Sequence, residues 1–205
     1  MRLKTACILA LAIPFILPVQ STLAQEQTLA DVGSYSEDAL SARLTALREL
    51  YRIKLTDSEK ERLVTKCDQA QSGLQKISNK LVTTNTERTL TYDSIIASLV
   101  SLRTLVVTKQ VDPSNIELLI VEYQQRKAEF DTAISGYQVA LDDSINVDCK
   151  VKPEEFRAAL EGVRASRKTV VNASAQIDEI TKSNLKTAFD TIRSRLTSEA
   201  VKNGN

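Results

Sequence analysis

The chain predicts an all-α fold: an elongated antiparallel bundle of three long helices, about 57–110, 114–145 and 153–200, with a shorter N-terminal helix at about 36–54. Three observations predict it. Apolar residues recur at alternating steps of four and three over long stretches, as one seam of a packed or coiled-coil helix does. Only five Gly and four Pro occur in 205 residues, and two of those prolines, Pro14 and Pro18, fall near the N-terminus. Helix-capping signals stand where each periodic stretch begins.

Arg2 and Lys4 precede an apolar run from Cys7 to Val19, and Thr22-Leu23-Ala24 puts small residues at the two critical positions of a cleavage site. This is the pattern of a signal peptide over residues 1–24, with a run too short to span a bilayer. Cleavage after Ala24 gives an extracytoplasmic mature chain beginning at Gln25. Lipid attachment at Cys7 is not expected, because the apolar run should precede such a cysteine and here it follows. No second membrane-crossing run is read in the rest of the chain, so no stable span is expected after cleavage. The signal removes two of 27 Lys and Arg and none of 26 Asp and Glu, leaving the mature chain one charge below neutral. That balance gives no reason to expect nucleic acid as a partner.

Residues 25–35 lack periodicity and read as a flexible lead. Ser34 and Glu37 have capping-box spacing, and Leu40, Leu44, Leu47 and Tyr51 form the stripe of the first helix. Thr56-Asp57-Ser58-Glu59 is a second capping box, which favours a turn over one continuous helix although neither Gly nor Pro enforces a break. The long helix then carries a seam of Leu63, Cys67, Ala70, Leu74, Ile77 and Leu81, resumed at Ile95, Leu99, Leu102 and Val106 and stopped by Val111-Asp112-Pro113. The later helices must cover that seam. Between its halves the seam positions are Thr84, Arg88 and Thr91. This polar layer reads as a register device with the Arg88 stem on the seam and its head in water. A hinge or a ligand-contacting layer is the functional alternative.

Asp112 caps the next helix and Pro113 opens it; its seam is Ile116, Ile120, Tyr123, Lys127, Phe130, Ile134, Tyr137 and Leu141. So short a connection makes it the antiparallel partner of the long helix. After a loop from Asn146 to Lys152, Pro153-Glu154-Glu155 opens the last helix, with Phe156, Leu160, Val163, Arg167, Val170, Ser174 and Ile177, then Leu185, Phe189, Ile192 and Leu196.

Of three cysteines, Cys7 departs with the signal, leaving Cys67 and Cys149 where disulfides form. Folding the hairpin about Asp112 sets Asn146 level with Ser78, and three extended residues carry Cys149 near Gln71, one turn from Cys67. The register permits a Cys67–Cys149 bond. It would close a loop of about 80 residues, stabilise by about 2–4 kcal/mol, and set the last helix parallel to the long one with the first helix at the stapled end.

Cys67-Asp68-Gln69-Ala70-Gln71 in a long helix, Val111-Asp112-Pro113 at its end, and Asp148-Cys149 with Pro153 opening a last helix resemble uncharacterised secreted all-helical proteins of ultra-small candidate-phyla bacteria. The resemblance covers roughly residues 57–200. It implies this fold and export, and brings no functional residues.

With no His in the chain, the usual hydrolase triads and His-containing zinc sites are absent, and two cysteines cannot complete a four-ligand metal centre. No catalytic residue and no cofactor is assigned. The acid pairs Asp142-Asp143, Glu154-Glu155 and Glu59 with Glu61 diverge around a helix and read as solvated faces or first-turn acids. Asp142, Ser144, Asn146 and Asp148 place oxygen at alternate positions, as a calcium loop does. Val147 stands where the turn glycine belongs and Pro153 where a bidentate glutamate would close the site, so an acidic capping loop is preferred and no metal is assigned. Asn172-Ala173-Ser174 is a glycosylation sequon in mid-helix.

The sequence therefore leads to an exported, non-enzymatic helical bundle with a structural or protein-interaction role at or outside the cell envelope, bound to a protein or envelope component. Seams this regular can also be satisfied between chains, which admits a homo-oligomer. The alternative is a small-ligand or calcium-binding module using the polar mid-bundle layer or the 142–148 loop.

Overall fold

The helices begin close to their sequence signals and end where backbone geometry, not composition, stops them. A computed structural model describes residues 36–202; the expected signal peptide, the expected lead and the cap at Ser34 lie outside the described residues. The helices are α1 (Glu37–Leu50), α2 (Asp57–Thr108), α3 (Ser114–Asn146), α4 (Pro153–Glu179) and α5 (Leu185–Lys202), with a π-helical turn at Ile180–Asn184 between the last two. All-α is therefore the fold class, a bundle in which α3 is central. It lies along α2 on one side and α4 on the other, α1 rests on α4, and α2 and α4 meet only sparingly.

The break after α1 is real, and α1 ends at Leu50, four residues before the expected end. Ile53 N–H donates to Arg48 C=O at 3.0 Å and Arg52 N–H to Glu49 C=O at 3.1 Å, with Arg52 at φ 49°. This is a Schellman ending with arginine at the left-handed position that glycine usually takes. Thr56 then starts α2 through the reciprocal capping box with Glu59. The same ending closes α2. Val111 N–H reaches Val106 C=O, Gln110 N–H reaches Val107 C=O, and Gln110 has φ 58°. Val106 and Val111, both buried, supply its usual apolar contact. Asp112 Oδ1 accepts from Ser114 N–H at 3.0 Å, so the expected cap acts from one residue before Pro113.

The hairpin register differs from the one built about Asp112. Ser78 pairs with Gln138, whose Nε2 donates to its Oγ at 2.9 Å, and Gln71, not Ser78, stands level with the end of α3. Gln71 Nε2 donates to the carbonyls of Ile145 (3.1 Å) and Val147 (2.8 Å), satisfying acceptors that a helix end leaves open. With α3 already ending this far down α2, the loop has no extended stretch to travel. Cys149 meets Cys67 as a disulfide with Cα atoms 5.7 Å apart.

Two core clusters result. Leu44, Cys67, Leu74, Leu141, Cys149 and Phe156 belong to the stapled end; Tyr92, Leu99, Val106, Tyr123, Phe130 and Ile177 belong to the other. At the stapled end Arg43 of α1 grips buried Asp143 through two parallel bonds, Nε to Oδ2 at 2.9 Å and Nη2 to Oδ1 at 2.6 Å. Lys60 pairs with Glu154 at 3.3 Å, so α4 starts beside the start of α2 and runs parallel to it. The expected last helix carries a π-helical turn at Ile180–Asn184 and runs on helically through it to Lys202. Beyond that turn the expected seam holds at Ile192, which is buried, and at half-buried Leu185, but not at Phe189, which is 45% exposed.

An uncovered stretch of the long-helix seam as candidate functional site

Ile77, a seam position expected to be covered, is exposed, as are Arg88 and Thr91 of the polar layer, and Thr84 is only half-buried. The burial that replaces them is lateral. Ser78 turns inward to Gln138, and Tyr92, which the four-and-three spacing passes over in favour of Thr91, is buried with its ring edge-on to Phe130 (5.2 Å) and Tyr123 (6.3 Å). α3 therefore takes one flank of the α2 seam while α4, splayed from α2, leaves the other flank open.

The opening is a groove of about 570 Å³ walled by α2 and α4 and floored by α3. Ile77, Leu81, Thr84, Asn85 and Arg88 face it from α2, Phe130, Ile134 and Tyr137 from α3, and Arg167, Val170, Ser174 and Asp178 from α4. Leu81 and Val170 border both core clusters, so the groove sits at their junction. Arg88 crosses it. Its Nη1 donates to Ser174 Oγ, and its guanidinium carbon lies 5.9 Å from the centre of the Phe130 ring. The cation rests on the aromatic face, and the expected picture of a head free in water gives way to a strut between α2 and α4. Asn85 Oδ1 is buried at the groove wall with no hydrogen-bond donor.

A second concavity, of about 670 Å³, lies beside the α1–α2 turn. Arg52, Lys54, Arg62, Lys66 and Arg157 line it with Glu59 and Glu61. Glu59 there serves the capping box, whose bonds from Thr56 hold its carboxyl below the usual range. Charged side chains make up most of the walls of this hollow, whereas the mid-bundle groove exposes core-type side chains.

The four oxygen-bearing residues of the suspected calcium loop are engaged separately. Asp142, Ser144 and Asn146 belong to the last turns of α3, where alternate positions point to different faces. Asp142 Oδ1 accepts from Gln138 at 2.8 Å, and burial raises its carboxyl above the usual value against that bond. Ser144 donates to Ala140 C=O, Asn146 to Asp142 C=O, and Asp148 Oδ1 accepts the N–H groups of Lys150 and Val151. Among the described residues no group of three or more His, Cys, Asp or Glu is placed to hold a metal ion. Of the other acids, Asp143 is held by Arg43, and Glu154 by Lys60 and Arg48. Asn172 is exposed on α4.

Outside the groove, α2 exposes Leu90 (65%), Val100, Leu105 and Val107. By length and composition alone an 18-residue stretch of α2, mean hydropathy 1.4 and 17% buried, is apolar enough to cross a membrane, a stretch that the sequence reading did not count.

Compared with known protein families, curated proteins and solved structures, the chain matches none. The site therefore stands on its own geometry.

Proposed function

We propose that the protein is an exported, non-enzymatic helical bundle that acts by interaction at or outside the cell envelope, through the side of α2 that its own helices leave uncovered. The observation that carries this reading is the exposure of apolar residues along a helix only six of whose 52 residues are buried. A helix so long, about 78 Å at 1.5 Å per residue, presents far more apolar surface than α3 takes up. Export is supported by the residue 1–24 pattern and by the pairing of the two cysteines that remain after cleavage. Photo-crosslinkers at Val100 and Val107, with one at Lys168 on α4 as control, test the reading on producing cells. A single envelope protein joined to both α2 positions and not to Lys168 supports it. Equal labelling at all three positions would contradict it.

A second reading has its own observation. The groove between α2 and α4 has the size and the mixed lining of a small-molecule site built between helices. It favours the polar mid-bundle layer over the acidic loop as the place where a ligand binds.

A further inference from the structure

Lys80 and Arg167 stand on opposite walls of the groove. α2 and α4 run parallel there, and the Arg88–Ser174 bond joins levels 86 residues apart in sequence. The same separation puts Lys80 within one residue of the level of Arg167. Among the described residues neither has a carboxylate within ion-pair distance. An anion lying in the groove at that level is attracted to both. The acid of the groove, Asp178, is eleven residues further along α4, about 16 Å away at 1.5 Å per residue. One end of the groove therefore carries two cations, the other sets Arg88 against Asp178, and the lining between is Leu81, Ile134, Val170 and Phe130.

We propose that this groove binds a single-chain amphipathic monocarboxylate, its head between Lys80 and Arg167 and its apolar tail along the floor towards Phe130. The proposal rests on the reading of the groove as a ligand site and names the ligand class. The tail covers the length of the groove from the level of Arg167 to that of Asp178, about 16 Å at 1.5 Å per residue, which a twelve-carbon chain matches. At the far end Asp178 offsets the charge of Arg88, whose guanidinium is already engaged by Ser174 and Phe130, so a second carboxylate there is not repaid for its desolvation and a dicarboxylate of equal length binds worse. Arg88 stays on Phe130 and Ser174 and closes the far end over the tail, leaving the head to the two unpaired cations.

The test is calorimetric titration of full-length mature protein with dodecanoate, below its micelle concentration, against dodecanol and dodecanedioate. A Lys80→Glu/Arg167→Glu variant, checked for native helicity by circular dichroism, runs in parallel. Dodecanoate is expected to bind at least about tenfold more tightly than either control, and charge reversal is expected to remove that advantage while leaving dodecanol unchanged. Equal binding of acid and alcohol would overturn the carboxylate clamp and leave the groove a ligand site. No binding of any of the three would sink both readings. A further arm with phosphatidylglycerol vesicles separates a free acyl chain from a lipid surface, and vesicle binding without dodecanoate binding would also overturn the proposal.

Discussion

Arg88 of α2 donates to Ser174 of α4 with its guanidinium carbon 5.9 Å from the centre of the Phe130 ring, and so one side chain touches all three long helices. At the level where α2 and α4 are splayed, this strut holds their separation. Arg88→Ala is expected to lower stability by about 1 kcal/mol, the scale of a half-exposed cation–π contact plus one hydrogen bond. Arg88→Lys should recover only part of that loss, because an ammonium cannot lie flat on the ring while donating sideways. Urea unfolding of the three proteins measures it.

Secreted material is expected to have the non-reduced mass of residues 25–205 less two hydrogens, with no thiol open to alkylation until reductant is added. Cys149→Ser should cost about 2–4 kcal/mol, since the bond closes a loop of sequence separation 82. Because Cys149 is in the loop that delivers α4, the variant should also raise amide exchange in Phe156 and its neighbours before it does so near Val106.

Both Schellman endings use a residue for which the left-handed backbone is strained. Gln110→Gly is expected to stabilise by about 0.5–1 kcal/mol, relief of strain at φ 58° outweighing the added freedom of the unfolded chain. Arg52→Gly should act in the same direction. Gln110→Val should destabilise, and the order of the urea midpoints checks all three.

Glu59 accepts from the Thr56 N–H and hydroxyl, both at 2.8 Å, and these bonds hold its carboxyl below the ordinary 4.5. A lowered folded-state value means stability that is fully present above 4.5 and lost as pH falls through the folded value. Glu59→Gln is therefore expected to lower the urea midpoint at about pH 7 and to converge with the native protein at about pH 2. A constant difference across that range would contradict the assignment.

Much of this fold was legible because helix starts are written in side chains. Thr56 with Glu59, Asp112 with Pro113, and Pro153 each mark a beginning that the structure keeps. The ends were less legible, since Arg52 and Gln110 carry no glycine signature. The turn at Ile180–Asn184 was not legible at all, as its cause is an inserted backbone step and the apolar spacing runs through it. For the candidate site, periodicity marked the seam at Ile77, Thr84 and Arg88 but could not say that α4 would stand away from it. Its cations were harder to single out. Lys80 and Arg167 lie 87 positions apart, and only the parallel packing of α2 and α4, which follows from the staple at Cys67 and Cys149, brings them level.

Our proposal for the groove is that the seam between Ile77 and Arg88 receives a ligand, and filling it tests that most directly. Ala175, exposed on the groove wall, can be changed to Phe without entering the core. Melting curves of native protein and Ala175→Phe, each with and without dodecanoate, are the measurement. A ligand that binds only the native state raises the melting temperature. The account predicts a rise for the native protein and none for Ala175→Phe, whose unliganded curve stays cooperative; an equal rise in both would show that the ligand binds elsewhere and contradict it.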